Sequence, residues 1–139
     1  MTNGIEKDIW KIWNKINKKY NELVDEVKRL VGEIVEILHK NYGNRLEALA
    51  NKYGIPICLG IDEKCADVLD IRPILYLVCK ADEESKDVVR DDVRDVFKDV
   101  MDVARIKVMF IQDLPYNIKH VYGKKGREVI EKLKKEYRG

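Results

Sequence analysis

Nine apolar residues recur at alternating spacings of four and three over the first forty positions: Ile9, Trp13, Ile16, Tyr20, Leu23, Val27, Leu30, Ile34 and Ile37. A period of 3.5 residues kept up over four heptads demands a long helix that packs lengthwise on another helix. Trp13, Tyr20, Val27 and Ile34 share one core position of the seam and the other five share the second. A further stripe, made of Ile5, Ile12, Val24, Val31, Val35 and Leu38, widens the apolar face. That width predicts a helix packed on its own globular part as well as on a partner. The seam is too long for a small sheet to cover, so a homodimer is expected, with Trp13, Tyr20, Val27 and Ile34 in its interface. Trp10 and Trp13 fit two roles equally, an aromatic anchor for a protein partner or burial against the chain's own sheet.

The predicted helix runs from about Ile5 to Tyr42, with Gly43 as its C-terminal cap. Residues 1–43 thus read as an arm and residues 44–139 as an α/β domain. The chain has 139 residues, 45% of them hydrophobic and 37% charged, which suits one compact domain plus the arm. No apolar run approaches the roughly 20 residues of a membrane span. Met1-Thr2-Asn3-Gly4 leads straight into charged helix, which predicts a chain without a signal peptide, acting in the cytoplasm.

Ser85 is the only serine, Thr2 the only threonine and Gln112 the only glutamine, while Lys, Glu, Ile and Val abound. Such usage fits a thermophile, or equally an AT-rich genome. It excludes a phosphate loop ending in Lys-Ser/Thr and any plausible serine triad. Cys58, Cys65 and Cys79 form no closely spaced pair, and His39 and His120 are distant from them in sequence. No metal site or cofactor is expected, and Cys58 and Cys79 read as buried thiols within apolar strands.

Asn44 and Glu47 have capping-box spacing and predict a short helix ending at Tyr53 before Gly54. Ile55–Ile61 reads as a strand, 62–69 as a loop or single helical turn, and Arg72–Ala81 as a second strand opened by Pro73. Asp82–Val103 is an amphipathic helix with Val89, Val93, Val96, Phe97, Val100 and Val103 inward. Arg105–Gln112 is a third strand, Ile118–Tyr122 a short strand or helical turn, and Gly126–Tyr137 a basic helix. The expected fold class is α/β (α+β), a small mixed β-sheet flanked by helices behind the long heptad-patterned helix.

Three stretches carry a family likeness: Ile57-Cys58-Leu59-Gly60-Ile61-Asp62, Leu69-Asp70-Ile71-Arg72-Pro73, and Ile106-Lys107-Val108-Met109-Phe110 running on to Leu114-Pro115. With the element order over residues 44–130, they resemble the minimal nucleotidyltransferases of the DNA polymerase β superfamily. The resemblance implies a Gly-Ser phosphate loop after the first strand, an Asp-x-Asp pair for two magnesium ions opening the second, and another carboxylate on the third. Gly60 matches the loop glycine, but Ile61 stands in place of the serine. Asp70 matches the first carboxylate, Arg72 occupies the place of the second, and Ile106 and Lys107 replace the third. Two-metal chemistry needs clustered oxygen ligands, so the resemblance implies a degenerate site. Its candidates are Gly60, Arg72 and Lys107 for a phosphate or nucleotide, with Asp70 the ligand should activity survive. Asp62, Glu63 and Asp67 form a loose acidic loop that offers oxygen ligands for magnesium or a plain solvated surface, and a divergent enzyme would draw its carboxylates from Asp62, Asp67 and Asp70.

Charge is uneven along the chain. Residues 81–105 carry −4 and residues 106–139 carry +5. Lys119, His120, Lys124, Lys125 and Arg127, interleaved with Tyr116, Tyr122 and Tyr137, form a candidate nucleic-acid surface. Glu128, Glu131 and Glu136 lie at helical spacing from lysines and support an ordinary solvated face instead. Three functions thus compete: a non-catalytic interaction protein, a nucleic-acid binder, and a divergent nucleotidyltransferase.

Overall fold

A computed structural model describes residues 2–63, 67–79, 83–115 and 117–138. The element order is α1 (Thr2–Tyr53), β1 (Ile57–Asp62), a 3₁₀ turn (Val68–Asp70), β2 (Arg72–Val78), α2 (Glu83–Val96), α3 (Met101–Ala104), β3 (Lys107–Ile111), β4 (Ile118–Tyr122) and α4 (Lys124–Arg138). It is a mixed α+β fold, as the sequence predicts.

The first helix is longer than expected. Gly43 does not end it, Asn44 does not cap a second helix, and α1 continues for 52 residues, about 78 Å at 1.5 Å per residue. The reason is tertiary. Leu46 and Ala50 continue the buried stripe begun by Val31, Val35 and Leu38, so one helix covers more of the sheet than two would. Gly43 serves close packing, since a Cβ there would stand 3.4 Å from the Tyr122 ring. The helix ends at Gly54, whose φ of 64° and the Ile55 N–H donated to the Ala50 carbonyl at 3.1 Å make a Schellman-type stop.

Four strands run in the order β3-β2-β1-β4. β1 lies antiparallel to both β2 and β4, and β2 is parallel to β3. The β2–α2–β3 segment supplies the crossover a parallel pair needs. Ile57, Leu59, Leu75 and Leu77 point to one face and pack under α1 and α2 with Val89, Val93, Val96 and Phe97. The opposite face carries a smaller cluster of Cys58, Ile74 and Tyr76, with Leu114, Ile118 and Val121 against it.

Several boundaries move. α2 stops at Val96 instead of Val103, because Phe97–Val100 forms a turn and Met101–Ala104 a separate helical turn ended by left-handed Arg105 (φ 56°). Val103, expected inward, is 87% exposed. Residues 118–122 resolve the strand-or-turn choice as β4. The expected strand end at Ala81 lies outside the described residues.

Gly60 sits inside β1 where the pairing with β4 slips, and a Cβ there would lie 2.0 Å from the Asn117 carbonyl oxygen. Gly32, mid-helix, would place a Cβ 3.8 Å from Ile61 Cδ1, an ordinary contact. Gly60→Ala should therefore cost about 2–3 kcal/mol through overpacking. Gly32→Ala should gain about 1 kcal/mol through helix propensity. Denaturant unfolding of the two variants checks the opposite signs.

Candidate functional site: an apolar helix arm and the polar end of the sheet

The seam of α1 divides where the helix meets the sheet. Every described side chain from Gly4 to Leu23 is exposed. Trp13 and Tyr20 of the expected interface are 54% and 42% exposed. Val27 and Ile34, the other two, are half-buried against the chain's own core. The alternate seam position faces outward along the whole helix: Ile9, Ile16, Leu23, Leu30 and Ile37 are 44–60% exposed. Trp10 at 65% is not buried on the sheet. The widening stripe splits in the same way. Val24, Val31, Val35 and Leu38 pack inward, and Ile5 and Ile12 stand in solvent. Large side chains exposed singly are ordinary, whereas here they follow one another along a single helix.

At the sheet end, strand pairing gathers the family-like residues. Asp62 is level with Arg72 on β2, Gly60 with Ile74, and Ile74 with Lys107 on β3. Cross-strand partners share a face, so Gly60, Asp62, Arg72 and Lys107 project together. Asp62 is 4% exposed and receives a charge-assisted hydrogen bond from Lys107 Nζ at 3.3 Å. Asp70, on the 3₁₀ turn, lies 3.9 Å from Arg72. Glu63 reaches Lys28 of α1 at 3.8 Å. Asp67 caps the turn by accepting the Leu69 N–H at 3.1 Å. Acids and bases alternate in this cluster and neutralise one another. Gly60 is not in a loop: β1 runs on through Ile61 and Asp62, and the missing side chain admits Asn117. Among the described residues no group of three or more His, Cys, Asp or Glu could hold a metal ion.

The basic segment lies on β4 and at the start of α4. α4 begins at Lys124, and its first amides are already occupied. Gly123 N–H donates to Glu47, and Lys124 N–H to Asn51 Oδ1 at 2.9 Å. Arg127 pairs with the same Glu47 carboxylate. Carboxylate and amide groups of α1 thus satisfy the helix end that an anion would otherwise bind. Lys119, Lys124, Lys125 and Arg127 are exposed, while His120 is half-buried. Tyr116 lies outside the described residues, as does the side chain of Tyr137.

One arrangement has no signal in the sequence. His39 and His120, 81 positions apart, stack face to face with centroids 3.6 Å apart and planes within 2°. His39 Nδ1 shares a 2.8 Å hydrogen bond with the Tyr122 hydroxyl, and His120 Nε2 donates to Glu36 at 2.7 Å. They line a cleft of about 390 Å³ with Glu47 and Arg127. Burial pushes the Tyr122 hydroxyl well above its ordinary value. Only the pairing of β4 beside β1, under α1, brings these rings together.

Comparison with known proteins returns no matching family model, no similar curated protein and no similar solved structure. No helix among the described residues is long and apolar enough to cross a membrane.

Cys58 is fully buried, and desolvation pushes its thiol up to about 12 from an ordinary 9.0. The unfolded chain therefore loses this proton first as pH rises. The stabilising difference is complete below about pH 9 and is lost towards pH 12, with a limiting slope of about 1.4 kcal/mol per pH unit. Denaturant unfolding of wild type should lose stability between pH 9 and 10. Cys58→Ala should show a flatter profile over that interval, although less stable throughout.

Proposed function

We propose that this chain is a non-catalytic interaction protein that forms a homodimer through α1, built on a degenerate nucleotidyltransferase-like domain. The exposed ridge on α1 carries the reading. Ten large apolar residues of α1, from Ile5 to Ile37, are each 42–65% exposed. At on the order of 100 Å² apiece, they leave about 1,000 Å² of apolar surface per subunit, against about 800 Å² per partner in a standard interface. Hydrophobic burial on that scale drives association.

The degenerate-domain part rests on the gathering of Asp62, Asp70, Arg72 and Lys107 at one end of a mixed sheet. A bound pair of divalent cations would meet two fixed positive charges there, and the buried carboxylate is already committed to Lys107. That arrangement opposes the electrostatics two-metal transfer requires. On this reading the protein acts in the cytoplasm, where buried thiols such as Cys58 and Cys79 are the expected state of cysteine. The second reading, nucleic-acid binding, draws on α4. Its described side chains from Arg127 to Val129 and Glu131 to Glu136 are solvent-exposed and include four basic residues.

Light scattering should give twice the chain mass at tens of micromolar. Trp13→Glu combined with Ile16→Glu should return it to the monomer mass without loss of helical signal from the domain. A monomeric wild-type protein overturns the dimer. Incubation with magnesium and labelled nucleoside triphosphates should yield no transfer. Transfer abolished by Asp70→Asn would make the domain an active enzyme.

A further inference from the structure

We infer that the two α1 helices pair antiparallel, so that the bare arm of each subunit lies along the domain-bound half of the other; this rests on the dimer proposed above. Charge is the first argument. Residues 7–19 carry five lysines and one aspartate, whereas residues 22–36 carry five acidic and two basic residues. An antiparallel pair sets the basic stretch of each helix beside the acidic stretch of the other. A parallel pair sets like against like, which costs affinity and steers the encounter away.

The flanking positions decide in the same direction. In a parallel heptad pair, the flank preceding each first seam residue faces the opposite flank of its neighbour. Glu26 and Glu33 occupy that flank, and the opposite one holds Val31 and Leu38, which are 7% and 3% exposed within their own domain. Parallel pairing would press these carboxylates, both paired with Arg29 of their own helix, against a side already filled by the sheet, where no cation of the partner meets them. In the antiparallel pair like flanks meet. Lys19 then stands opposite Glu26 of the partner subunit, and the domain-filled side of one helix meets only the bare arm of the other.

Seam layers follow from this arrangement. Trp13 lies level with Leu30 of the partner subunit, Ile16 with the partner's Val27, and Tyr20 with the partner's Leu23. Each half-exposed residue at the edge of the domain thereby gains a cover from the arm, and the two domains sit at opposite ends of the shared helical rod.

Cysteine cross-linking separates the outcomes. Trp13→Cys and Leu30→Cys are each made in a Cys65→Ser background, where Cys58 and Cys79 remain buried. Under mild oxidation each variant alone should stay uncross-linked, and an equimolar mixture, one partner tagged, should give a mixed covalent dimer. Trp13→Cys linking to itself, with scattering still reporting a dimer, overturns the antiparallel geometry and keeps the dimer. A dimer with neither self-linked nor mixed product overturns the geometry as well. A monomer by scattering in the uncross-linked wild type overturns the dimer itself.

Discussion

The fold depends on the packing of residues 31–50 of α1 across the sheet. Val35 and Leu46 are fully buried there, together with Ile57, Leu59, Leu75 and Leu77 from the strands. Burying each such side chain contributes about 1.5–3 kcal/mol, so this contact supplies much of what holds a small domain together. Because the helix is unbroken, the same contact fixes the direction of the arm. The buried half also acts as nucleus for the rest, since extending a formed helix costs far less than starting one. A segment of some twenty solvated residues is thereby held helical and pointed outward.

Polar contacts add direction to that anchor. Tyr53 donates a hydrogen bond to Asp92, and Lys52 reaches the same carboxylate at 3.6 Å, which ties the end of α1 to α2. Arg45 donates to the Val96 carbonyl at 3.3 Å, beside the Tyr42–Phe97 ring pair at 5.0 Å. On the other side, Glu47 and Asn51 hold the start of α4, and His39 stacks on His120 of β4. α1 therefore forms the spine to which α2, β4 and α4 are each attached. The individual exposed pairs are worth little, but they converge on one helix that hydrophobic burial already holds.

The polar end of the sheet illustrates how a buried charge is accommodated. Asp62 is almost fully buried and keeps Lys107 within hydrogen-bond distance across the sheet. Removing one member of such a pair is far costlier than replacing both, because the remaining charge is stranded away from water. Arg72 and Asp70 form a looser pair at the rim, where solvent screens them. Charge balance here is local, each acid having a basic partner close by.

The heptad period by itself determined a long helix with an apolar ridge, and the apolar runs determined three strands and an amphipathic helix between the last two. Those features are local: side-chain period and turn chemistry depend only on neighbours in the chain. The stop at Gly54 was legible for the same reason. Only the tertiary structure decided that Gly43 stays helical, because Leu46 and Ala50 had buried surface to reach. Gly60 likewise became a point of strand contact instead of a phosphate loop, because β4 passes against it. The juxtaposition of Asp62 with Lys107, and of His39 with His120, required strand order and register, which no spacing along the chain encodes. Division of the seam into a covered and an uncovered flank was also a tertiary outcome, since the same heptad pattern serves a helix whether its neighbour is its own sheet or another subunit.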